Sequence, residues 1–343
     1  MYSFMNDYSE GAHPRILELL GSSNFEKNAG YGLDIHSDRA KGYIKKLIGK
    51  NDVDIHFIPG GTQTNLIAIS SFLRPHQCVI ATDTAHINVH ETGAIEATGH
   101  KVFILPTSDG KLTPLDIKKA LVIHTDEHMV QPKMVYISNT TELGTIYTKE
   151  ELTDISKTCR ENGLILYLDG ARLGSALTCS TNDLNLKDIA NLVDVFYIGG
   201  TKNGALLGEA LVIVKEELKE DFRFLIKQRG AMMAKGFVMG IQFEVLFKDN
   251  LFFELAKHAN EMAEQLAEVI TKHGFDFYVE HASNQVFPIF PNDLLAKMEK
   301  EFVYLVQYKI DEYNSVVRFV TSWATDHESI DAFKAFLEKN CNQ

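Results

Sequence analysis

Hydrophobic positions along the chain follow two patterns. Short continuous apolar runs at 54–58, 77–81, 101–105, 134–138, 166–168, 193–198 and 209–214 are separated by segments whose apolar residues recur three and four positions apart. The runs read as strands buried on both faces. The spaced segments, at 37–48, beginning at 60–65, at 114–122 and at 149–161, read as amphipathic helices. In the first helix Ile44, Leu47 and Ile48 share a face, and Ser37 is the expected N-cap. Strand and helix alternate about seven times, which predicts a doubly wound, mainly parallel sheet. Residues 1–34 are polar and glycine-punctuated, as in Asn28-Ala29-Gly30-Tyr31-Gly32, around one short helix at 14–20.

Beyond residue 215 longer helical stretches take over, at 222–229, 236–247 and 251–273. In the last of these Leu255, Ala259, Met262, Leu266 and Val269 form a buried face. Strands at 275–279, 286–289 and 316–321 and helices at 293–301 and 329–339 follow in looser alternation. The fold class is therefore α/β, with a large domain over 1–248 and a smaller C-terminal α+β domain over 249–343. A chain of 343 residues suffices for two such unequal cores.

Composition narrows the function. Hydrophobic content of 45% and charged content of 23% are those of a globular protein. A formal charge of -12 argues against nucleic acid as a partner, because phosphate binding needs a basic face. No apolar run approaches the roughly 20 residues that span a bilayer, and residues 1–8 carry no basic and apolar leader, so no membrane partner and a cytoplasmic location are expected. Cys78, Cys159, Cys179 and Cys341 are scattered without a C-x-x-C pair, which predicts free thiols and no metal site.

Candidate chemistry sits at the strand ends. The run Leu166-Tyr167-Leu168 ends in Asp169-Gly170-Ala171-Arg172, and the run ending at Ile198 leads into Gly199-Gly200-Thr201-Lys202. In an open α/β sheet ligands sit at the carboxyl ends of strands, so an acid and a lysine are offered to the same region. A pyridoxal phosphate enzyme needs such a pair, although a capping aspartate and an exposed loop lysine would give the same local pattern. The turn Pro59-Gly60-Gly61-Thr62-Gln63-Thr64-Asn65 feeds a helix N-terminus, where free N–H groups and the helix dipole favour an anion. His86, His90 and Glu91 follow another strand end.

Taken together, Gly60-Gly61-Thr62-Gln63-Thr64-Asn65, Ala85-His86, Asp169-Gly170-Ala171-Arg172 and Gly200-Thr201-Lys202 resemble the threonine aldolase family of pyridoxal phosphate lyases, of the aspartate aminotransferase fold. Order and approximate spacing match over nearly the whole chain. The resemblance implies pyridoxal 5'-phosphate as cofactor, Lys202 as its Schiff-base lysine and Asp169 as the partner of the pyridine nitrogen. It places His86 on the ring and Gly61 and Thr62 at the phosphate, with Arg229 or Lys235 as a further phosphate cation. Arg172 and Arg318 would grip the substrate carboxylate or frame the cofactor. Asn6 and Tyr31 fall in loops that contribute to the substrate pocket. His128 falls where the family has a histidine near the substrate hydroxyl, so His86 and His128 are both candidate bases. The chain departs from the family at Asn139-Thr140-Thr141-Glu142, where a His-Asn pair is expected.

The implied reaction cleaves a β-hydroxy-α-amino acid, L-threonine or L-allo-threonine, to glycine and an aldehyde. A homo-oligomer, dimer or tetramer, with shared active sites is implied as well. A β-eliminating lyase or an aminotransferase would use the same parts, and a catalytically silent cofactor-binding protein is the reading from a different class.

Overall fold

The computed structural model describes residues 1–341. After a two-residue strand β1 (Tyr2–Ser3), the main layer is a seven-stranded sheet. It comprises β2 (Asp54–Ile58), β3 (Gln77–Thr82), β4 (Val102–Leu105), β5 (Gln131–Ser138), β6 (Ile165–Asp169), β7 (Val195–Gly199) and β8 (Glu209–Ile213). The spatial order is β2-β8-β7-β6-β5-β3-β4. Neighbours from β4 to β7 run parallel, whereas β8 is antiparallel to both β7 and β2. The mainly parallel sheet expected from the alternation is present.

The uninterrupted apolar runs have a direct cause. Val135, Ile137, Leu166, Leu168, Phe196 and Ile198 point into one core. Their neighbours Met134, Tyr136, Ile165, Tyr167, Val195 and Tyr197 point into the other. Successive side chains leave a strand on opposite faces, so a strand covered on both sides must be apolar at every position. The first core is roofed by α1 (Pro14–Ser22), α2 (Ile35–Ile48), α5 (Pro114–Ile123), α6 (Lys149–Glu161), α7 (Leu173–Thr178), α8 (Leu186–Leu192) and α10 (Phe237–Lys248). The second is roofed by α3 (Gly61–Phe72), α4 (His86–Val89) and α9 (Phe222–Gln228).

A third core forms the C-terminal unit. There β10 (Ile289–Pro291), β13 (Asn314–Val320) and β12 (Leu305–Lys309) make an antiparallel sheet, β9 (Gln285–Val286) pairs with β13, and β11 (Phe302–Val303) runs parallel to β1. Helices α12 (Asn292–Met298) and α13 (His327–Cys341) complete it. Helix α11 (Leu251–Lys272) serves two cores: Leu251, Phe252 and Leu255 belong to the first, and Met262, Leu266 and Ile270 to the third. Residue 249 therefore falls beside the head of a shared helix, and Phe4 is buried in the C-terminal core although it lies at the opposite end of the chain.

Local expectations are corrected in several places. Asp34, not Ser37, caps α2, its carboxylate accepting Ser37 N at 2.8 Å and Ser37 Oγ at 2.8 Å, so the helix starts earlier. The glycine-rich turn is itself the first turn of α3. No strand forms at 275–279: pairing there is limited to an isolated bridge from Phe277 to Pro288, with Tyr278 N donating to Phe287 O at 2.9 Å and Ile289 N donating to Asp276 O at 2.8 Å. Strand β12 and helices α7 and α8 are additional elements.

Candidate active site

A cavity opens at the carboxyl edge of the main sheet. Its inner compartment, about 390 Å³, is lined by Gly60, Gly61, Thr62, Glu142, Asp169, Lys202 and Glu209 among others. An outer compartment of about 630 Å³ adds Gln285, Leu305, Tyr308 and Arg318, and both share Tyr8, His86, His90, Arg172 and Lys202. The sheet explains the convergence. Asp169 ends β6 and Lys202 follows β7, while β8 enters antiparallel with Glu209 opposite Gly199.

Asp169 is 3% exposed and fully engaged. Its Oδ2 accepts Tyr136 Oη at 2.5 Å and Asn65 Nδ2 at 3.1 Å, and its Oδ1 accepts Ala171 N at 3.0 Å. Asn65 Nδ2 also donates to Glu91 Oε1 at 2.7 Å, and that oxygen lies 2.7 Å from His86 Nδ1. His86 and Asp169 are thus fixed by one hydrogen-bonded chain. Burial raises the Glu91 carboxyl above its usual range.

Burial and the adjacent Arg172 guanidinium lower the Lys202 ammonium below its ordinary value, which favours the free amine that a nucleophilic lysine needs. The turn carrying it is clamped by Glu209, whose Oε2 accepts Gly200 N at 3.1 Å and whose Oε1 accepts Thr201 Oγ at 2.8 Å. Burial pushes the Glu209 carboxyl up to about 8. Glu142 is likewise raised, by burial and then by Asp169; it accepts His86 N at 2.9 Å and Ser138 Oγ at 2.8 Å.

Arg172 and Arg318 differ sharply. Arg172 is locked onto Asp7 through Nε to Oδ2 at 2.7 Å and Nη2 to Oδ1 at 3.0 Å. Burial opposes the Arg172 charge, yet Asp7 more than offsets it and the guanidinium is raised. Arg318 projects from β13 into the outer compartment, and its buried Nε has no partner among the described residues. Burial and the nearby Arg172 lower it.

The remaining expected residues lie elsewhere. Asn6 accepts from Tyr8 N at 3.0 Å and so shapes the turn that presents Tyr8. His128 is exposed in the loop after α5, where its N–H donates to Asp126 Oδ1 at 2.9 Å. Arg229 and Lys235 are exposed and do not line the cavity of the single chain, although Gln63 Nε2 donates to Arg229 O at 3.0 Å beside the first turn of α3. Tyr31 is 45% exposed and lines a different cavity. Sequence reasoning missed Asp7, Tyr8, Glu142 and Glu209; a carboxylate inside an apolar strand was the one available signal, at Glu209.

A family model described as β-eliminating lyase matches residues 22–291. The low specificity L-threonine aldolase of Pseudomonas aeruginosa is 31% identical over 95% of this chain and 94% of its own. The chain belongs to the β-eliminating lyase family. A solved Leishmania major threonine aldolase is similar to this family member with a TM-score of 0.98 and 53% identity, covering 99% of each chain. Thermus thermophilus aspartate aminotransferase, at 14% identity and a TM-score of 0.74 over 99% of this chain and 91% of its own, shares the fold alone. The family is pyridoxal-phosphate-dependent, and the donor set of this member fits that group. A buried carboxylate stands at a strand end, a half-buried lysine lines the same cavity, and Gly60 at the N-cap of α3 offers no side-chain cap, which leaves first-turn N–H groups for a phosphate. Among the described residues, no helix is long and apolar enough to cross a membrane, and no group of three or more His, Cys, Asp or Glu could hold a metal ion.

Proposed function

We propose that the chain binds pyridoxal 5'-phosphate on Lys202 and cleaves a β-hydroxy-α-amino acid, L-threonine or L-allo-threonine, to glycine and an aldehyde. The observation that carries this reading is the convergence of Asp169, Lys202 and the uncapped first turn of α3 on one cavity, with an unpartnered arginine at its mouth. When bound, the cofactor supplies a sink for the electron pair released at the substrate Cα.

The side chains divide the remaining work. Asp169 holds a proton at the ring nitrogen, since an opposite charge nearby favours the charged form of both groups. Gly61, Thr62 and their neighbours hold the phosphate. Arg318 grips the substrate carboxylate with a planar fork, while Arg172, already engaged by Asp7, frames the site. His86 takes the β-hydroxyl proton at Nε2, and Glu91 at Nδ1 fixes the ring and stabilises the resulting charge. Arg229 and Lys235 are exposed and outside the cavity of the single chain, so as phosphate cations they would have to come from a second copy; a homo-oligomer with shared sites, in the cytoplasm, is part of the proposal.

The decisive experiment supplies threonine and allo-threonine to the cofactor-loaded protein and measures acetaldehyde with a coupled reductase. Aldehyde and glycine in equal amounts are expected. Keto acid with ammonia would replace this reading with β-elimination, and no turnover with intact cofactor binding would leave a silent binding protein.

A further inference from the structure

A second, much smaller cavity lies among β2, α2 and α9. It holds about 30 Å³ and is lined by Lys41, His56 and Arg223, with the Tyr31-Gly32 segment along it and apolar side chains such as Ile226 and Met239 closing it. No aspartate or glutamate is among its lining residues. Lys41 Nζ donates to Gly32 O at 3.3 Å, and Arg223 Nη2 donates to Tyr31 O at 3.2 Å. His56 Nε2 is buried and has no hydrogen-bond partner among the described residues. The carboxylates nearest Lys41 are Asp34 and Asp38. Asp34 is committed to Ser37, and Asp38 is exposed.

Two cations and an imidazole therefore line one small cavity without a lining counter-charge. Burial lowers the Lys41 ammonium, as expected for a charge taken out of water. Burial, with Lys41 and Arg223 nearby, pushes His56 down to about 3, so the imidazole is neutral at pH 7 and can carry its proton at Nε2 as a donor. The Tyr31 and Gly32 carbonyls each receive one of the two cations, but a carbonyl or a water molecule brings no negative charge to balance them. A halide only accepts, so it meets the surplus of donors and the surplus of charge together. The volume, on the scale of one water, leaves no room for a phosphate or a carboxylate-bearing metabolite.

We propose that this cavity is a binding site for one small monovalent anion, chloride in ordinary buffers, held by Lys41, Arg223 and the Nε2–H of His56. Its occupant ties α2, β2 and α9 to the Tyr31-Gly32 segment, in which Tyr31 adopts a left-handed φ of 63°. The site is independent of the aldolase reading.

Crystals of the cofactor-loaded protein transferred into sodium bromide should show an anomalous peak between Lys41, His56 and Arg223. An ordinary water peak there, without anomalous signal in saturating bromide, overturns the proposal. In solution the melting temperature should be higher in sodium chloride or bromide than in sodium gluconate of equal ionic strength. The difference should saturate with halide at roughly a few degrees and disappear in Lys41→Gln. Equal melting in both salts, or a halide effect unchanged in Lys41→Gln, also refutes it. If Lys41→Gln does not fold, the bromide map of the unsubstituted protein decides alone.

Discussion

Asp169 and Arg318 face one cavity and are held in opposite ways. Asp169, in the inner compartment, is buried and accepts three hydrogen bonds from the protein while still lining the cavity. Arg318, in the outer compartment, is half-buried and keeps an unpartnered Nε among the described residues. The same contrast separates Arg172, saturated by Asp7, from Arg318. On the proposed function, the groups that must hold one charge and one position throughout a cycle are the ones fixed by protein hydrogen bonds. The group proposed to meet an exchanging substrate keeps its capacity free, since a buried donor without a partner gains most from an arriving carboxylate.

The sharpest way to break this comparison is at its centre. Lys202→Ala should abolish turnover, and borohydride treatment with pyridoxal phosphate should no longer fix a label at position 202 in a peptide map. A label at another lysine would remove the inner compartment's role. Next in size, Arg318→Ala should lower kcat/KM for threonine by roughly 30- to several-thousand-fold, corresponding to about 2–5 kcal/mol for an unmatched buried charge, while cofactor affinity measured by absorbance titration stays unchanged. Equal losses of substrate and cofactor binding would erase the division between the compartments. Asp169→Asn should keep part of the cofactor affinity and lose on the order of 10²–10³-fold in kcat, because an amide cannot supply charge at the ring nitrogen. Near-normal kcat would make Asp169 a structural cap.

The smallest effect concerns Glu209. Its carboxyl is raised to about 8 in the fold against an ordinary value near 4.5, so the folded state binds more protons across that window. Its contribution to stability is present at low pH and is lost as pH rises through about 8. Thermal melts of cofactor-free protein should therefore fall less steeply between pH 5 and 8 in Glu209→Gln than in the unsubstituted chain. Parallel curves would show that Glu209 ionises as freely in the fold as in the unfolded chain.

What was legible in the sequence follows from how strongly local pattern constrains structure. Strands β5 to β8 are covered on both faces, so their apolar runs are continuous and their ends, at Asp169 and before Lys202, stand out. Strand β12 lies at a sheet edge with Val306 and Tyr308 exposed, so it carries no such run. The position of Asp7 was not legible, because its partner Arg172 is 165 residues away and the intervening chain encodes nothing about their meeting. Glu142 occupies a loop whose sequence departs from the family pattern, and only the fold brings it to His86.

Strand β1 pairs with residues 302–303, about 300 positions further along the chain, and Phe4 packs against Phe302, Phe319 and Phe333. Asp7 follows three residues after Phe4, so the segment that clamps Arg172 is anchored by the most distant part of the polypeptide. Contacts of such long sequence separation slow folding, so this pairing is expected to form late, which hydrogen-exchange labelling of residues 2–4 during refolding would check. The segment carrying the arginine clamp is held by β11 and β13, so the surroundings of Arg172 are complete only in a chain folded through to β13.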